Sequence, residues 1–458
     1  DMAGSTTSEN QWLRAWTNEL YLWYGEVPDL NPGAYATDAY FDLLKTSALT
    51  DSGQPKDRFH FSMPTSQWND LAYASVEYGY GLRYTVTGEV PSRQLVISFV
   101  EPEPAQSVTS SRLQRGTRIL AVDGVSIATA NDQASFDVLN AGLAPSRAGL
   151  QHRFRVQGIS DVSPRDVTLT SIRVTSNPVP QVATLDVSGD KVGYLLFNDH
   201  LAQSEQKLVT AINTLKSANV TDLVLDLRYN GGGLLAIASE LAYMIAGPDA
   251  TAGKVFESTI FNDKIHDNDP VTGEPLVPVE FFSTALGFSQ TSGTPLPTLN
   301  LSRVYVLASE DTCSASESLI NGLRGINVEV VLVGGTTCGK PYGFYPTDNC
   351  GTTYFSIQMK GENAAGFGDY ADGFSPSNTV GGAGVRVTGC AVSDDLHHAL
   401  GDTQEAMLAA ALQYRANSTC PPDVQAHARS SRSPAVGPEL GAPSLLRTNK
   451  FLRLTPPN

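Results

Sequence analysis

Three short apolar runs, each emptying into a polar turn rich in glycine or serine, constrain the fold more than any other feature. Leu223-Val-Leu-Asp-Leu227 is almost continuously apolar and runs into Arg228-Tyr-Asn-Gly-Gly-Gly233. Val304 to Ala308 runs into Ser309-Glu-Asp-Thr-Cys-Ser-Ala-Ser-Glu317, and Val328 to Val333 into Gly334-Gly-Thr-Thr-Cys-Gly-Lys340. Apolar runs of this kind read as strands buried on both faces. Between them lie helical faces: Leu208, Ile212 and Leu215, then Leu235, Ala238, Leu241, Ala242 and Ile245, then Ala315 to Leu323. Repeated strand–helix–strand units imply a mostly parallel sheet covered by helices. In such sheets functional groups collect where strands end and loops enter helices.

With 458 residues the chain is long for one such layer, and its texture changes along its length. Residues 1–76 read as helical and aromatic. Trp12, Trp16, Leu20, Trp23 and Tyr24 recur at three- and four-residue spacing, and a second helical pattern follows from Tyr35 to Leu44 after Asn31-Pro32-Gly33. This tryptophan stripe is expected to be core. Residues 77–177 break into short β-like runs: after Tyr78 to Tyr84 come Leu95 to Val100, Arg118 to Val122, Arg153 to Val156 and Val167 to Val174. Asp123-Gly124 supplies a hairpin turn, and a helix is expected from Asn131 to Leu143. Residues 178–420 carry the α/β layer. Residues 421–458 are rich in Pro, Ser and Ala without periodicity and are expected to be disordered or loosely docked. The expected fold is therefore a multidomain α/β protein: a helical N-terminal region, a β-rich domain, an α/β core of repeated βαβ units, and a tail.

Charge narrows the partners. The chain has 31 Lys and Arg against 47 Asp and Glu, a formal net charge of −16. That disfavours nucleic acid and anionic membrane surfaces, which need a basic face. The tail alone carries five Lys or Arg against two Asp or Glu, so the rest of the chain is near −19. No stretch of 18 or more apolar residues exists, and no basic segment followed by an apolar one precedes the first helix. The expectation is an exported bacterial protein whose signal has been removed.

Chemistry concentrates at the three junctions. Consecutive glycines at 231–233 let the backbone approach a ligand and aim N–H groups at it, as in an oxyanion hole. A phosphate loop is the rival, but no G-x-x-x-x-G-K-[ST] pattern is present. Ser314 stands at a helix start, where backbone N–H groups favour a developing anion; a plain N-cap is the bland reading. One strand further on, Lys340 leaves a glycine-rich loop. A desolvated amine there, its pKa falling toward roughly 7–8, can take the serine proton. Together these residues make a Ser-Lys dyad. Rival nucleophile systems are weaker. Of the seven histidines (60, 152, 200, 266, 397, 398 and 427) only His200 stands near a strand end, and Cys313 is the alternative nucleophile. A metal site has no support, because there is no C-x-x-C and the adjacent His397 and His398 diverge on a helix.

At these residues the chain resembles the carboxyl-terminal-processing (tail-specific) serine proteases, over about three quarters of its length and in the same order of parts. Ser314-Ala-Ser-Glu317 is similar to the family's S-A-S-E motif, Gly339-Lys340 to the motif that supplies its lysine, and Asp226 to Gly233 to its D-L-R-x-N-x-G-G. The resemblance implies Ser314 as nucleophile, Lys340 as general base, and the N–H groups of Gly232 and Ala315 as oxyanion donors. It identifies residues 77–177 with a PDZ domain. Tyr80-Gly81-Leu82 is similar to the loop that takes a peptide's terminal carboxylate, and Leu113 to Gly124 to the G-D-x-I-L-x-V-D-G pattern, with Thr117 in place of Asp. Glu19 to Pro28 and Asp394 to Asp402 resemble an exported, often lipid-anchored bacterial subgroup. The implied substrate is an unstructured protein C-terminus, with no cofactor and no metal. A homo-oligomer and a lipid anchor at a processed N-terminus fit the resemblance. Two positions depart from it. Phe344 stands where the family often has Gln, leaving Glu317 or Tyr342 to hold Lys340, and Ser314 and Lys340 are 26 residues apart, one more than usual. These departures motivate a second reading, a peptide or hydrophobic-ligand binding protein that has lost catalysis.

The five cysteines are then expected as Cys338–Cys350 and Cys390–Cys420, two disulfides bracing the core in an oxidising compartment, with Cys313 left over. The rival pairing is Cys313–Cys338.

Overall fold

The structure is a computed structural model and describes residues 5–74, 76–422 and 450–451. Its centre is a six-stranded sheet in the order Gln181–Val187, Asp190–Leu196, Asp222–Asp226, Arg303–Ala308, Glu329–Gly334 and Gly389–Ala391. The first two strands form an antiparallel hairpin; every later neighbour runs parallel. Alternate residues divide between two cores, as the two-residue period of a strand requires. Leu195, Leu223, Leu225, Val304, Val306, Val330 and Leu332 face the helices Ser204–Ser217, Leu235–Ala246 and Ala315–Gly325. Tyr194, Leu196, Val224, Tyr305, Leu307, Val331 and Val333 face the helix Ala406–Asn417. Sequence reading missed the first and last strands of the sheet, which are short or only half-buried.

The β-rich unit has its own core of Leu95, Ile97, Ile119, Val122, Leu139, Phe154, Val156 and Leu169. Its main sheet runs Leu82–Thr87, Gln94–Val100, Arg118–Val122, Gln151–Gln157, Arg165–Thr170, so Leu82–Thr87 is an edge strand. Asp123 and Gly124, at φ 46° and 85°, make the tight turn into Val125–Ser126. The chain passes in and out of the unit through an antiparallel pair, Val76–Gly79 with Ile172–Thr175. The single run expected over 167–174 is interrupted at Ser171, whose hydroxyl donates to Arg147 O at 2.8 Å. Two arginines fasten the unit to the core. Arg83 donates to Asp199 at 2.6 Å and to Tyr229 O at 3.1 Å, and Arg115 donates to Asp394 at 2.5 Å and to Asp395 O and His398 O at 3.0 Å each.

The N-terminal helix spans Thr6–Leu20 and stops short of Trp23 and Tyr24, which were expected to continue it. The chain turns away there because Asn262 binds the carbonyls of Glu19 and Tyr21 at 2.9 and 3.1 Å. The tryptophan stripe is packing surface: Trp12 stacks on Trp16 at 5.5 Å, both lie against Tyr354, and Trp23 meets Tyr342 edge-on at 4.8 Å. Of the tail, Lys450–Phe451 forms a short strand with Gly233–Leu234, and residues 423–449 and 452–458 lie outside the described residues.

Over the helical face, a loop from the 281–296 insertion closes on two buried carboxyls. Glu205 accepts the N–H groups of Leu286, Gly287, Ser289 and Gln290 at 2.6–2.9 Å, and Glu240 shares the Leu286 N–H at 3.1 Å. Burial works against the Glu205 charge, but the backbone donors outweigh it and hold this carboxyl below its usual range. Burial, and then the Glu205 charge, push Glu240 up to about 9, so it stays protonated at neutral pH. The folded protein thus keeps a proton that the unfolded chain releases near 4.5. The resulting stabilisation is complete below that pH and declines as pH rises to about 9. Glu240→Gln, which has no proton to lose, is expected to remove this slope. Melting temperatures from pH 5 to 9 should fall more steeply for the wild type than for the variant, the difference moving by about 3 °C or more.

Candidate active site

All three sequence junctions meet at the carboxyl ends of neighbouring strands. Because Arg303–Ala308 and Glu329–Gly334 run parallel with Ala308 opposite Gly334, the loops leaving them start side by side. Cys313 is five residues past the first strand end and Cys338 four past the second, and they are disulfide-bonded with Cα atoms 5.1 Å apart. This corrects the expected Cys338–Cys350 bridge. Cys350 is exposed and unpaired, in the tight turn between Thr347–Asn349 and Thr352–Phe355. Cys313 is therefore not the free cysteine, and as half of a disulfide it is no nucleophile. Cys390–Cys420 pairs as expected and ties the last helix to the sheet.

The loop 309–316 is fastened to the backbone of 227–230 by its hydroxyls. Thr312 donates to Leu227 O at 2.8 Å, Ser309 to Arg228 O, and Ser316 to Asn230 O at 2.9 Å; Asn230 O also accepts Cys313 N–H at 3.1 Å. Ser309, Thr312 and Ser316 are thus cross-loop donors. Ser314 itself has φ 61° and ψ −116°, a conformation costing an L-residue about 1–3 kcal/mol. A serine held on a strained strand-to-helix turn is the arrangement of a nucleophile elbow. Ser314 is fully buried, and its Oγ has no hydrogen-bond partner among the described residues.

Gly232 lies against this turn. A Cβ on it would fall 2.8 Å from Ser314 Cβ and 2.9 Å from both Ala315 N and Cys313 O, and its φ of 108° also requires glycine. Its N–H donates to Asn230 Oδ1 at 3.0 Å. The same oxygen faces His200 Nδ1 at 3.0 Å, and Asn230 Nδ2 donates to Phe197 O at 2.9 Å. Burial pulls the His200 pKa down to about 4, so its ring is neutral and donates to Asn230. His200 stands behind the glycine loop and is not bonded to Ser314, which removes the Ser-His rival.

Glu317 joins the nucleophile turn to the lysine loop. Its carboxylate accepts Ser314 N–H at 3.0 Å, Thr337 Oγ–H at 2.5 Å, and the N–H groups of Gly339 and Lys340 at 2.8 Å each. Burial raises its pKa, and these donors oppose the rise. What Glu317 holds directly is the Lys340 backbone. The fully buried Lys340 ammonium group lies 4.8 Å from the Phe59 ring centroid and 4.7 Å from that of Phe344, the residue replacing Gln. Tyr342 instead packs on Trp23. Cys313, Glu317 and Cys338 bring ligand-type atoms within 4.8 Å of one another, but the sulfurs are bonded together and the carboxylate is occupied by donors, so the cluster is a brace.

Arg228 anchors the other end of the glycine loop. Fully buried, it pairs with Asp226 at 2.9 Å and Asp394 at 2.8 Å, and in a two-bonded fork with Glu405 at 2.8 and 2.9 Å. Glu405 also caps the helix Ala406–Asn417 by accepting Leu408 N–H. Sequence reading did not find Asn230, Arg228 or Phe59 as site residues. The first two stand inside the D-L-R-Y-N run that flagged the loop. Phe59 carries no local signal, since only the fold brings it to Lys340. The peptide-loop residues Tyr80, Gly81 and Leu82 stand together at the start of the edge strand. Tyr80 is buried and donates to Gly142 O at 2.9 Å, and Gly81 is left-handed at φ 74°.

Against known proteins, the family model for peptidase family S41 matches residues 191–344, which span the glycine loop, Ser314 and Lys340. Carboxyl-terminal-processing proteases of Picosynechococcus sp. and Synechocystis sp. are 27% and 26% identical over 267 and 278 residues, 57% and 58% of this chain and 54% and 56% of those proteins. The chain thus spans about half the length of the curated relatives it matches. A putative S41 protease from Bacteroides fragilis superposes with a TM-score of 0.65 at 24% identity, over 89% of this chain and 97% of that one, and shares the fold. Residues 191–344 match peptidase family S41, and the resemblance to carboxyl-terminal-processing proteases read from the three motifs is upheld.

Glu317→Ala should leave four buried donors without an acceptor. At about 1–3 kcal/mol each, the expected loss is about 4 kcal/mol or more, read as a lower urea midpoint. Reducing Cys313–Cys338, which closes a 25-residue separation, should cost about 3 kcal/mol by the chain-entropy estimate and slow any reaction at Ser314.

Proposed function

We propose that the protein is an exported serine endopeptidase that cleaves protein chains near unstructured C-termini. Ser314 Oγ attacks the peptide carbonyl while Lys340, in its neutral form, takes the proton. The N–H groups of Gly232 and Ala315 receive the oxyanion, the latter from the first turn of a helix, where N–H groups have no intrahelical acceptor. Lys340 then protonates the leaving amine, and water, deprotonated by Lys340, releases the acyl group. The β-rich unit acts as a PDZ domain: Tyr80-Gly81-Leu82 takes the free carboxylate, and the open edge of Leu82–Thr87 takes the extended chain.

The observation that carries this reading is the convergence at Glu317 and Gly232. One carboxylate fixes the backbone on both sides of the Ser314–Lys340 pair, and the glycine packs so closely on the serine that a Cβ on it would lie 2.8 Å from Ser314 Cβ. Two disulfides fit an exported enzyme.

With unfolded casein and fluorogenic peptides as substrates, Ser314→Ala and Lys340→Ala should each lower kcat/KM by about 10³-fold or more. Peptides ending in a free carboxylate should be cut faster than their C-terminal amides. Full activity in either variant would show that the dyad is misassigned, and the binding-protein reading would replace it if neither wild type nor variants hydrolyse.

A further inference from the structure

Beside the glycine loop, a strand edge is taken by this chain itself. Lys450–Phe451 pairs in parallel with Gly233–Leu234, Gly233 opposite Lys450 and Leu234 opposite Phe451. The same two residues lie alongside Tyr342–Gly343. Gly233 directly follows the proposed oxyanion donor Gly232, and Tyr342 is two residues past the proposed base Lys340. The segment therefore runs between the two loops that the reaction needs. The opposite side of Gly233–Leu234 is closed, because Leu234 N–H donates to His200 O at 2.8 Å and a Cβ on Gly233 would sit 2.4 Å from that oxygen. One edge is left for an added extended chain, and Lys450–Phe451 is on it.

We propose that the chain's own C-terminal segment, through Lys450–Phe451, is an internal competitor for the substrate strand. The proposal rests on the peptidase reading above and names the regulation of that same site. Main-chain pairing of this kind recognises extended peptide largely irrespective of side chains, so a tail strand and a substrate strand compete for one edge. Charge favours the tail, which carries a net +3 against about −19 for the rest of the chain. The site geometry agrees with a resting state: Ser314 Oγ has no hydrogen-bond partner among the described residues, and Gly232 N–H is engaged by Asn230. Tethering makes weak binding sufficient. At an effective concentration on the order of 1 mM, a segment with a Kd of about 0.1 mM is in place about nine-tenths of the time.

Phe451→Pro removes a backbone donor from the strand and lies outside the catalytic groups; Lys450→Pro is a second variant that removes the neighbouring donor. In the full-length chain, each should raise the rate of Ser314 labelling by a fluorophosphonate, and of casein hydrolysis, by about tenfold. A synthetic peptide of residues 446–458 at millimolar concentration should return the Phe451→Pro rate to the wild-type level by raising KM. A second readout needs no catalysis. In the Ser314→Ala background, a fluorescein-labelled 446–458 peptide should bind about tenfold more tightly, by anisotropy, when Phe451→Pro is also present. Wild-type labelling rates in both variants, with equal peptide binding in the two Ser314→Ala proteins, would overturn the proposal. Absence of labelling and hydrolysis in every protein, with the binding difference intact, would overturn the peptidase reading and leave the strand assignment standing.

Discussion

A single buried carboxylate, that of Glu317, holds the site in register. Four donors from two loops converge on it, two of them the N–H groups of Ser314 and Lys340. A carboxylate can accept about four hydrogen bonds, so none of its capacity is left over. The position at the third residue of a helix adds a favourable interaction with the helix N-terminus. This is what makes the strained Ser314 backbone tolerable: the strain of about 1–3 kcal/mol is smaller than the cost of leaving those donors unpaired in a dry interior. The Cys313–Cys338 bridge and the Cys338 N–H bond to Thr312 O at 3.0 Å repeat the connection independently. The backbone positions of nucleophile and base are therefore set together.

The glycine loop is tied the other way, toward the far face of the sheet. Arg228 is desolvated completely and is stable there only because Asp226, Asp394 and Glu405 surround it. Asp394 also receives Arg115 and Tyr229, and Arg83 reaches Tyr229 O and Asp199. Displacing the β-rich unit would thus strip partners from Asp199, from the Tyr229 carbonyl just before the glycines, and from Asp394, which also holds Arg228. An excess of acidic groups around two arginines gives the negative balance of the chain a structural role as well as a solubility one.

How much of this was legible follows from what each feature depends on. Strands such as Val304 to Ala308 and helices such as Leu235 to Ile245 were legible because periodic burial writes itself into the sequence. Ser314, Lys340 and Gly232 stood out because junction chemistry needs particular residue types at strand ends. The disulfide did not, because Cys338–Cys350 looks shorter along the chain, and only the register of two parallel strands shows that Cys313 is nearer. Phe59 and Lys450 were invisible for a related reason. Each reaches the site from an element nearly 300 residues, or more than 100, away from its partner, and no local pattern encodes that distance. The tail carried a compositional signature of disorder, which says nothing about two residues able to pair by backbone alone.

One contact in the site bears on when the reaction would become favourable. Gly232 N–H is satisfied by Asn230 Oδ1, a neutral acceptor that is in turn oriented by His200 and Phe197 O. An incoming peptide carbonyl is also neutral and offers this N–H nothing better, since exchanging one neutral bond of about 1 kcal/mol for another gains little. In the proposed reaction the balance changes only as negative charge develops on that oxygen, when the bond becomes charge-assisted and roughly twice as strong. Asn230 would then be displaced in the transition state and not in the ground state, and stabilisation confined to the transition state is what accelerates a chemical step. Burial keeps His200 from protonating until about pH 4, so the ring that orients Asn230 Oδ1 carries no charge of its own at neutral pH.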